Sequence, residues 1–488
     1  MTTGSPLFIA AFFATIIAML ALAAGGSRKV RSAYDFSLAG RKAGSWNVAG
    51  SIMGTLVGGA STVGTVQLAF LYGLSAWWFT LGSGLACLFL GLALAPALRR
   101  GMVETIPQFI SRYHGERARI CASLFSAAGM FVHIVAQLLA CGAILATLFD
   151  LPILYGAILS SALVALFTLC GGMQSAGMLG LFKLFLLYLT MVTAGVTAFS
   201  LTGGWEGMRS VFPAYPWFSP FGYGVKEGVS DLVSMLVGVV STQTYLQAVF
   251  SARNESIARR GALISAVLIP PLGILGISVG LFMRYTHPRI DSARALPAFL
   301  IEHFPPMLSG IAFAALLIAA VGTASGLTLG VGTTLKVDIL SKLRMDGKTE
   351  LAVTRLITMG VLLAAMGILL FNLHSAIMRW SFLSMGLRGA TLCLPLLAAI
   401  FLKERTSRRG RPGCRNHCRC RRHQVPTPVL RPHGLPHGHS HRLLARPAER
   451  KGPVADIKRP LPRQKSGLEY LPANHKRSGP VEASYLRL

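Results

Sequence analysis

Glycine, serine and threonine residues cluster in the middle of two long apolar segments, where a simple membrane anchor would not need them. The first cluster comprises Gly54, Gly58, Gly59, Ala60, Ser61, Thr62 and Gly64. The second comprises Gly238, Ser241, Thr242, Gln243 and Thr244. Such stretches can unwind, and carbonyls freed inside a membrane are tolerated only where they line a cavity or hold an ion. The two clusters therefore predict two broken helices that bind an ion or a small solute, as in a transporter.

Polar side chains near these clusters could hydrogen-bond a small solute. Gln67 follows the first cluster, and Thr242, Gln243 and Tyr245 lie in or directly after the second. Arg388 lies in the centre of the last apolar segment, where its guanidinium could bind a carboxylate with two hydrogen bonds. Pairing of Arg388 with a backbone carbonyl or a helix end is the alternative. We predict that these residues contact the solute, with a slight preference for an anion.

Apolar segments that span residues 7–402 must position these side chains. A bilayer core requires about 20 apolar residues per helix, because every backbone polar group must be satisfied within the segment. The segments are 7–24, 46–72, 74–96, 119–149, 151–170, 178–201, 230–250, 261–284, 307–333, 354–371 and 376–401. With 53% hydrophobic residues, the sequence predicts an all-α polytopic membrane protein with about 11 transmembrane helices.

Basic residues concentrate in alternate loops, as they do in the cytoplasmic loops of membrane proteins. The loops 25–45, 97–118, 251–260 and 334–353 each carry several Lys or Arg residues, whereas the intervening loops are near neutral. The alternation holds at every crossing. We therefore predict a multi-pass protein of the inner (plasma) membrane, with the N-terminus outside and the C-terminal tail in the cytoplasm.

Four stretches of the chain resemble the sodium:solute symporter family. They are residues 37–73, 106–113, 241–262 and 291–338, and the resemblance extends from about residue 7 to residue 402. It implies the leucine-transporter type of fold, in which two inverted repeats of five helices each begin with a broken helix. A small organic solute would then bind at mid-membrane between the breaks and cross by alternating access.

The resemblance implies a division of the chain into five parts. Residues 1–45 would form an extra transmembrane helix and a cytoplasmic loop, followed by the first repeat at 46–201. Residues 202–229, rich in aromatic residues and proline, would form an extracellular loop, and the second repeat would follow at 230–402. The remaining residues, 403–488, would be a separate tail.

The resemblance also implies Na⁺ as the coupling ion. In the family, carbonyls of the first broken helix and hydroxyls of the eighth core helix hold Na⁺, a hard cation that prefers oxygen ligands. In this chain Gly54 and Val57 would supply the carbonyls, and Thr323 and Ser325 the hydroxyls. Gly322 stands where a second, adjacent hydroxyl is expected. Tight packing of small residues between membrane helices is the alternative role for these positions.

Lys183 departs from the family pattern more sharply. Many members carry an Asp and, three residues later, a Gln where this chain has Gly180 and Lys183. If Lys183 extends to the membrane interface, it has no part in binding. If it faces the cavity, its ammonium stands in for the ion. We therefore predict Na⁺-coupled symport, with proton-coupled or ion-independent transport through Lys183 as the alternative.

The tail, residues 403–488, differs in composition from everything before it, since it is rich in Arg, Pro and His and lacks hydrophobic periodicity. Cys414, Cys418 and Cys420 lack the second ligand pair of a zinc finger. We predict a disordered segment. Its abrupt start is the pattern that a reading-frame change would produce, so an inactive product is a further alternative.

Other classes of function lack support in the sequence. It shows no nucleophile–base set, phosphate-binding loop or metal-ligand cluster. We therefore predict that the protein is not an enzyme and needs no cofactor and no metal beyond Na⁺. Its expected partners are a small solute and the lipid bilayer, without nucleic acid and without an obligatory protein partner.

Overall fold

The computed structural model describes residues 4–27, 41–103, 105–171, 176–335 and 347–402. The tail that begins at residue 403 lies outside the described residues, so its predicted disorder stays a prediction. The described residues are nearly all helical. In chain order the helices are α1 (Pro6–Ser27), α2 (Ser45–Leu56), α3 (Gly59–Tyr72), α4 (Trp78–Phe89), α5 (Ala95–Arg100), α6 (Ile106–His114), α7 (Glu116–Leu148), α8 (Ile153–Gly171), α9 (Ala176–Leu201), α10 (Gly204–Val211), α11 (Ala214–Trp217), α12 (Val225–Val240), α13 (Gln243–Ser251), α14 (Glu255–Thr286), α15 (Ala295–His303), α16 (Pro306–Thr334), α17 (Gly347–Leu370) and α18 (Ile377–Phe401).

Both predicted helix breaks are present. The first separates α2 from α3 at Val57 and Gly58, both of which have extended backbone conformations. The second separates α12 from α13 at Ser241 and Thr242, where the two helices form an angle of 42°. Each break coincides with one of the glycine, serine and threonine clusters, because neither cluster has a continuous apolar face to hold a regular helix in lipid.

The two breaks are enclosed by the longest helices. Helix α7 packs along both α16 and α18, and α9 packs against α2, α14 and α16. Helix α12 packs on α18 and α4, so the second break also faces α18. A short parallel bridge between Ala43 and Ala252 joins the chain before α2 to the end of α13. The two breaks are thus surrounded by α7, α9, α16 and α18.

The length and apolarity of the helices fit a membrane protein. Among the described residues, 6 helical stretches are long and apolar enough to cross a membrane, or 7 if the bent pair α12–α13 counts as one span. Shorter apolar stretches occur in α1, α8 and α17. The predicted all-α polytopic membrane fold is confirmed, whereas the count of 11 transmembrane helices and the bounds of the five parts stay predictions.

Candidate functional site

The first helix break frees a backbone carbonyl. In an unbroken helix the amide of Gly58 would donate to the carbonyl oxygen of Gly54, four residues earlier. Here it donates instead to Oγ of Ser61 at 2.9 Å, and Val57 leaves the helical conformation with φ −88° and ψ 94°. The carbonyl oxygen of Gly54 is therefore available to a partner outside its own helix.

That partner is the ammonium group of Lys183 on α9. Its Nζ donates to the carbonyl oxygen of Gly54 at 2.6 Å and to Oγ1 of Thr323 on α16 at 3.0 Å. The side chain is only 6% exposed, so it does not extend to the membrane interface. Of the two roles that the sequence left open for Lys183, the structure has the one in which the side chain points into the protein.

Gly180 explains how Lys183 reaches this position. A Cβ atom on Gly180 would lie 2.6 Å from the carbonyl oxygen of Gly50 on α2. A Cβ atom on Gly54 would lie 3.0 Å from the Cα of Gly180. The close approach of α9 and α2 therefore depends on the absence of side chains at this crossing. An Asp side chain, which many family members carry at position 180, has no room at this crossing. The absence of that carboxylate and the presence of the Lys183 ammonium nearby are therefore features of the same close helix contact.

The structure brings together only part of the predicted ion site. The carbonyl oxygen of Gly54 and the hydroxyl of Thr323 both accept a hydrogen bond from the ammonium of Lys183. Val57 lies in the adjacent helix break. Ser325 is buried, but it lies about 200° around the helix from Thr323. Among the described residues, no atom outside α16 lies within 4 Å of a Cβ atom built on Gly322. A hydroxyl at position 322 would therefore not point at Lys183, and a role for Ser325 in ion binding stays a prediction.

A chain of polar groups links this position to the centre of the protein. A Cβ atom on Gly58 would lie 2.7 Å from Oγ1 of Thr323 and 2.8 Å from Oε1 of Gln137 on α7. Oε1 of Gln137 accepts from the amide of Ala60 at 3.4 Å, and its Nε2 lies 3.0 Å from Nε2 of His133. His133 in turn lies one helical turn from Gly129, whose backbone packs on the side chain of Arg388.

Arg388 is fully buried at the centre of α18. Its Nε donates to the carbonyl oxygen of Ser384 at 3.1 Å and its Nη2 to Oγ of Ser384 at 2.7 Å. Ser384 also donates to the carbonyl oxygen of Gly129 on α7 at 2.6 Å. Nη1 of Arg388 has no hydrogen-bond partner among the described residues. Nε and Nη2 therefore hold the guanidinium in place, whereas Nη1 remains available to a ligand.

Two of the other predicted solute contacts, Gln67 and Thr242, already have partners within the protein. Oε1 of Gln67 accepts from the amide of Ile377 at 2.8 Å, which ties α3 to the start of α18. Thr242 donates to the carbonyl oxygen of Gly238 at 2.7 Å. Tyr245 is buried within electrostatic reach of Arg388. Solute binding by these residues stays a prediction.

Gln243 has a structural role that the sequence did not indicate. Its Oε1 accepts from the amide of Ile106 at 2.8 Å, at the first residue of α6. That amide is one of the four donors that a helix leaves unsatisfied at its N-terminus. Gln243 therefore joins the second break to α6.

We expect Gln243→Leu to destabilise the protein without changing ligand affinity. Loss of the acceptor would leave a buried amide unpaired at an expected cost of about 1–3 kcal/mol. The measurement is the thermal unfolding midpoint of the purified protein with and without Na⁺. An unchanged midpoint combined with lost ligand binding would show that Gln243 is a ligand contact after all.

A cavity of about 430 Å³ opens beside the C-terminal end of α3 and the N-terminal ends of α12 and α18. It is lined by Leu68, Tyr72, Tyr223, Lys226, Glu227, Ser230, Asp231, Met378, Arg379 and Phe382. The hydroxyl of Tyr223 donates to Asp231 at 2.7 Å, and burial together with this carboxylate raises the pKa of Tyr223, which keeps it a donor. Phe382 lies six residues before Arg388 on α18, about 9 Å along the helix axis. We call this cavity the vestibule; Arg388 lies further along α18 and is not among its lining residues.

His133 and Gln137 were missed by the sequence interpretation. They are four residues apart on α7 and therefore lie on one face of that helix. Two large polar side chains at this spacing in an apolar segment were the signal that could have identified them, because a polar face in a membrane helix points to a partner or a cavity.

Comparison with known proteins agrees with this architecture. The profile of the Sodium:solute symporter family matches residues 36–410. The Sodium/proline symporter of Staphylococcus aureus is 23% identical over 340 residues, which are 65% of this chain and 65% of that protein, so the match spans less than two thirds of this curated relative. A solved structure of a Na⁺-coupled sialic acid symporter, in a substrate-bound outward-open state, aligns with a TM-score of 0.66 at 18% identity. That alignment covers 82% of this chain and 87% of the other, and it confirms the predicted leucine-transporter type of fold. Because the family profile covers most of its length, the chain belongs to the sodium:solute symporter family.

Proposed function

We propose that this protein is a secondary active transporter that couples the movement of a small organic solute across the plasma membrane to Na⁺. The observation that carries the proposal is that two oxygen atoms at a helix break contact the same cation, the ammonium of Lys183. The carbonyl oxygen of Gly54 and Oγ1 of Thr323 are both hard ligands, of the kind that Na⁺ prefers. Membership of the sodium:solute symporter family also supports Na⁺ as the coupling ion.

The arrangement of the breaks supports alternating access. Both breaks lie between helices that could move relative to each other, and the vestibule lies on the side that the charge pattern predicts as the outside. A solute would enter from this vestibule and pass Phe382. We propose that residues 46–201 and 230–402 form the two inverted repeats and that the N-terminus is outside.

We propose that the solute is a small organic molecule. The relatives are named for transport of proline and of sialic acid. For this chain we propose no cofactor and no enzymatic step. Na⁺ and the solute are the ligands whose binding the described site would couple.

A second candidate, proton coupling, is favoured by the position of Lys183. Its ammonium already has the two oxygen ligands that a Na⁺ ion would use. Two unit charges about 4 Å apart repel by about 4 kcal/mol at the effective dielectric constant of a protein. The ammonium and Na⁺ therefore exclude each other, so Na⁺ binding requires the lysine to lose its proton or to leave. If the ammonium excludes Na⁺ completely, the proton alone drives transport.

We expect Thr323→Ala to raise the Na⁺ concentration required for transport. The substitution removes one of the two oxygen ligands, and loss of a single hydrogen-bonding ligand to a charge costs about 1.5–3 kcal/mol, which corresponds to about tenfold or more in affinity. The measurement is accumulation of radiolabelled L-proline, sialic acid and short-chain organic acids by proteoliposomes under an inward NaCl or KCl gradient.

The same assay separates the two candidates. Accumulation that needs NaCl and survives a protonophore supports Na⁺ coupling. Accumulation that ignores Na⁺ and collapses with a protonophore supports proton coupling through Lys183. If no solute accumulates under either gradient, and the protein binds no Na⁺, the transport proposal fails.

A further inference from the structure

The centre of the protein has an unbalanced charge. Among the described residues, Lys183 and Arg388 are the charged side chains that are buried, and no Asp or Glu is buried with them. An isolated buried charge is costly, and such charges in membrane proteins normally pair with an opposite charge or mark a ligand pathway. Lys183 has two oxygen acceptors, whereas one amino group of Arg388 has none among the described residues.

A second unpaired hydrogen-bond donor lies on His133 of α7, one helical turn from Gly129, whose backbone packs on the side chain of Arg388. Oε1 of Gln137 accepts from the amide of Ala60, which assigns Nε2 of Gln137 as the donor to Nε2 of His133. In a neutral histidine the proton then lies on Nδ1, and within the described part of the chain Nδ1 of His133 has no acceptor. Arg388 and His133 therefore both present a buried N–H group without an acceptor.

We propose that the transported solute is a small carboxylate and that Arg388, assisted by His133, binds its carboxyl group. Two donors without acceptors and a buried positive charge suit a group that has a negative charge and accepts hydrogen bonds only, and arginine binds carboxylates with good geometry. This inference rests on the proposed transport function and specifies its substrate.

The surroundings of Arg388 explain why the guanidinium stays in place before a ligand arrives. Ser384 accepts from Nε through its carbonyl and from Nη2 through its hydroxyl. A Cβ atom on Gly129 would contact Cγ of Arg388, so α7 passes directly over the arginine stem. The stem and one side of the fork are therefore held by α7 and α18, and the free Nη1 is the part that a carboxylate can bind.

The test is ligand-dependent thermal stabilisation of the purified full-length protein. The probes are choline salts of acetate, propionate, pyruvate, benzoate and sialic acid, each compared with its uncharged amide and with choline chloride. We expect at least one carboxylate to bind about tenfold or more tightly than its amide. Arg388→Gln should abolish this discrimination, and Arg388→Lys, which keeps the charge but loses the planar fork, should retain part of it. Arg209→Gln, at an exposed arginine beside Trp205, is the matched control and should behave as wild type.

Several outcomes would overturn the proposal. They are stabilisation by amides or by chloride as strong as that by carboxylates, no response to any carboxylate, or unchanged discrimination in Arg388→Gln. If Arg388→Gln does not fold, the loss or retention of discrimination in Arg388→Lys decides. Binding of ²²Na⁺ in alkaline buffer is measured in parallel. Retained Na⁺ binding without a carboxylate response would reject the substrate class alone, whereas loss of both would reject the transport function.

Discussion

Replacing Lys183 by glutamine should increase the affinity of the purified protein for Na⁺ by about tenfold or more at mildly acidic pH. The reason is that the ammonium holds the carbonyl oxygen of Gly54 and the hydroxyl of Thr323 in the wild type. Glutamine carries no charge, so both oxygens become available and the repulsion of about 4 kcal/mol between two adjacent cations disappears. The measurement is equilibrium binding of ²²Na⁺ to protein in lipid nanodiscs.

Two further variants make this result specific. Lys183→Met fills a similar volume without a charge and should also increase Na⁺ affinity. Lys42→Gln removes a lysine that is exposed and should change nothing. Combining Lys183→Gln with Thr323→Ala should remove the gain, because the second substitution deletes a ligand of the new ion. Equal Na⁺ affinity in the wild type and in Lys183→Gln would show that the ammonium and Na⁺ do not share a position.

Gly58→Ala should weaken Na⁺ binding or destabilise the protein, because the break has no room for a side chain. The added Cβ atom would lie 2.7 Å from Oγ1 of Thr323 and 2.8 Å from Oε1 of Gln137. Forcing a methyl group into such a space costs about 1–3 kcal/mol and would displace the ion ligand and the polar link to His133. We expect a loss of Na⁺ affinity of about tenfold or more, or a lower unfolding midpoint.

Gly322→Ala is the matched control for this substitution. It also adds one methyl group to a glycine beside the ion position, but among the described residues nothing outside α16 lies within 4 Å of its Cβ. Removing a glycine from a helix interior is slightly favourable. We therefore expect unchanged Na⁺ binding. If Gly58→Ala also binds Na⁺ normally and is as stable as the wild type, the crowded break is not needed for the site.

Much of the fold was predictable from the sequence. The length of the apolar segments indicates membrane helices, and the clusters at Gly58 and Ser241 mark both helix breaks, since small and hydroxyl-bearing residues weaken a helix in lipid. The departure of Lys183 from the family pattern identified the most unusual contact of the site. Its geometry was not predictable, because it depends on how closely α9 approaches α2 at Gly180.

The protein partners of the predicted solute contacts were not predictable from distance along the chain. Gln243 follows the second break directly, yet its acceptor binds the amide of Ile106, which is 137 residues away. Gln67 likewise binds the start of α18, 310 residues later. His133 and Gln137 were missed for the opposite reason, since α7 has no break to draw attention to it. Long-range pairing of polar side chains is set by helix packing, which the apolar pattern does not specify.

The most direct test is whether Na⁺ binding releases a proton. Purified wild-type protein and Lys183→Gln would be mixed with NaCl in weakly buffered solution containing a pH indicator, with ²²Na⁺ binding measured on the same samples. If the ammonium of Lys183 and Na⁺ use the same oxygens of Gly54 and Thr323, we expect the wild type to release close to one proton per Na⁺ bound. Lys183→Gln should bind Na⁺ without releasing a proton. Na⁺ binding by the wild type without proton release, and with the same affinity as Lys183→Gln, would contradict a shared cation position.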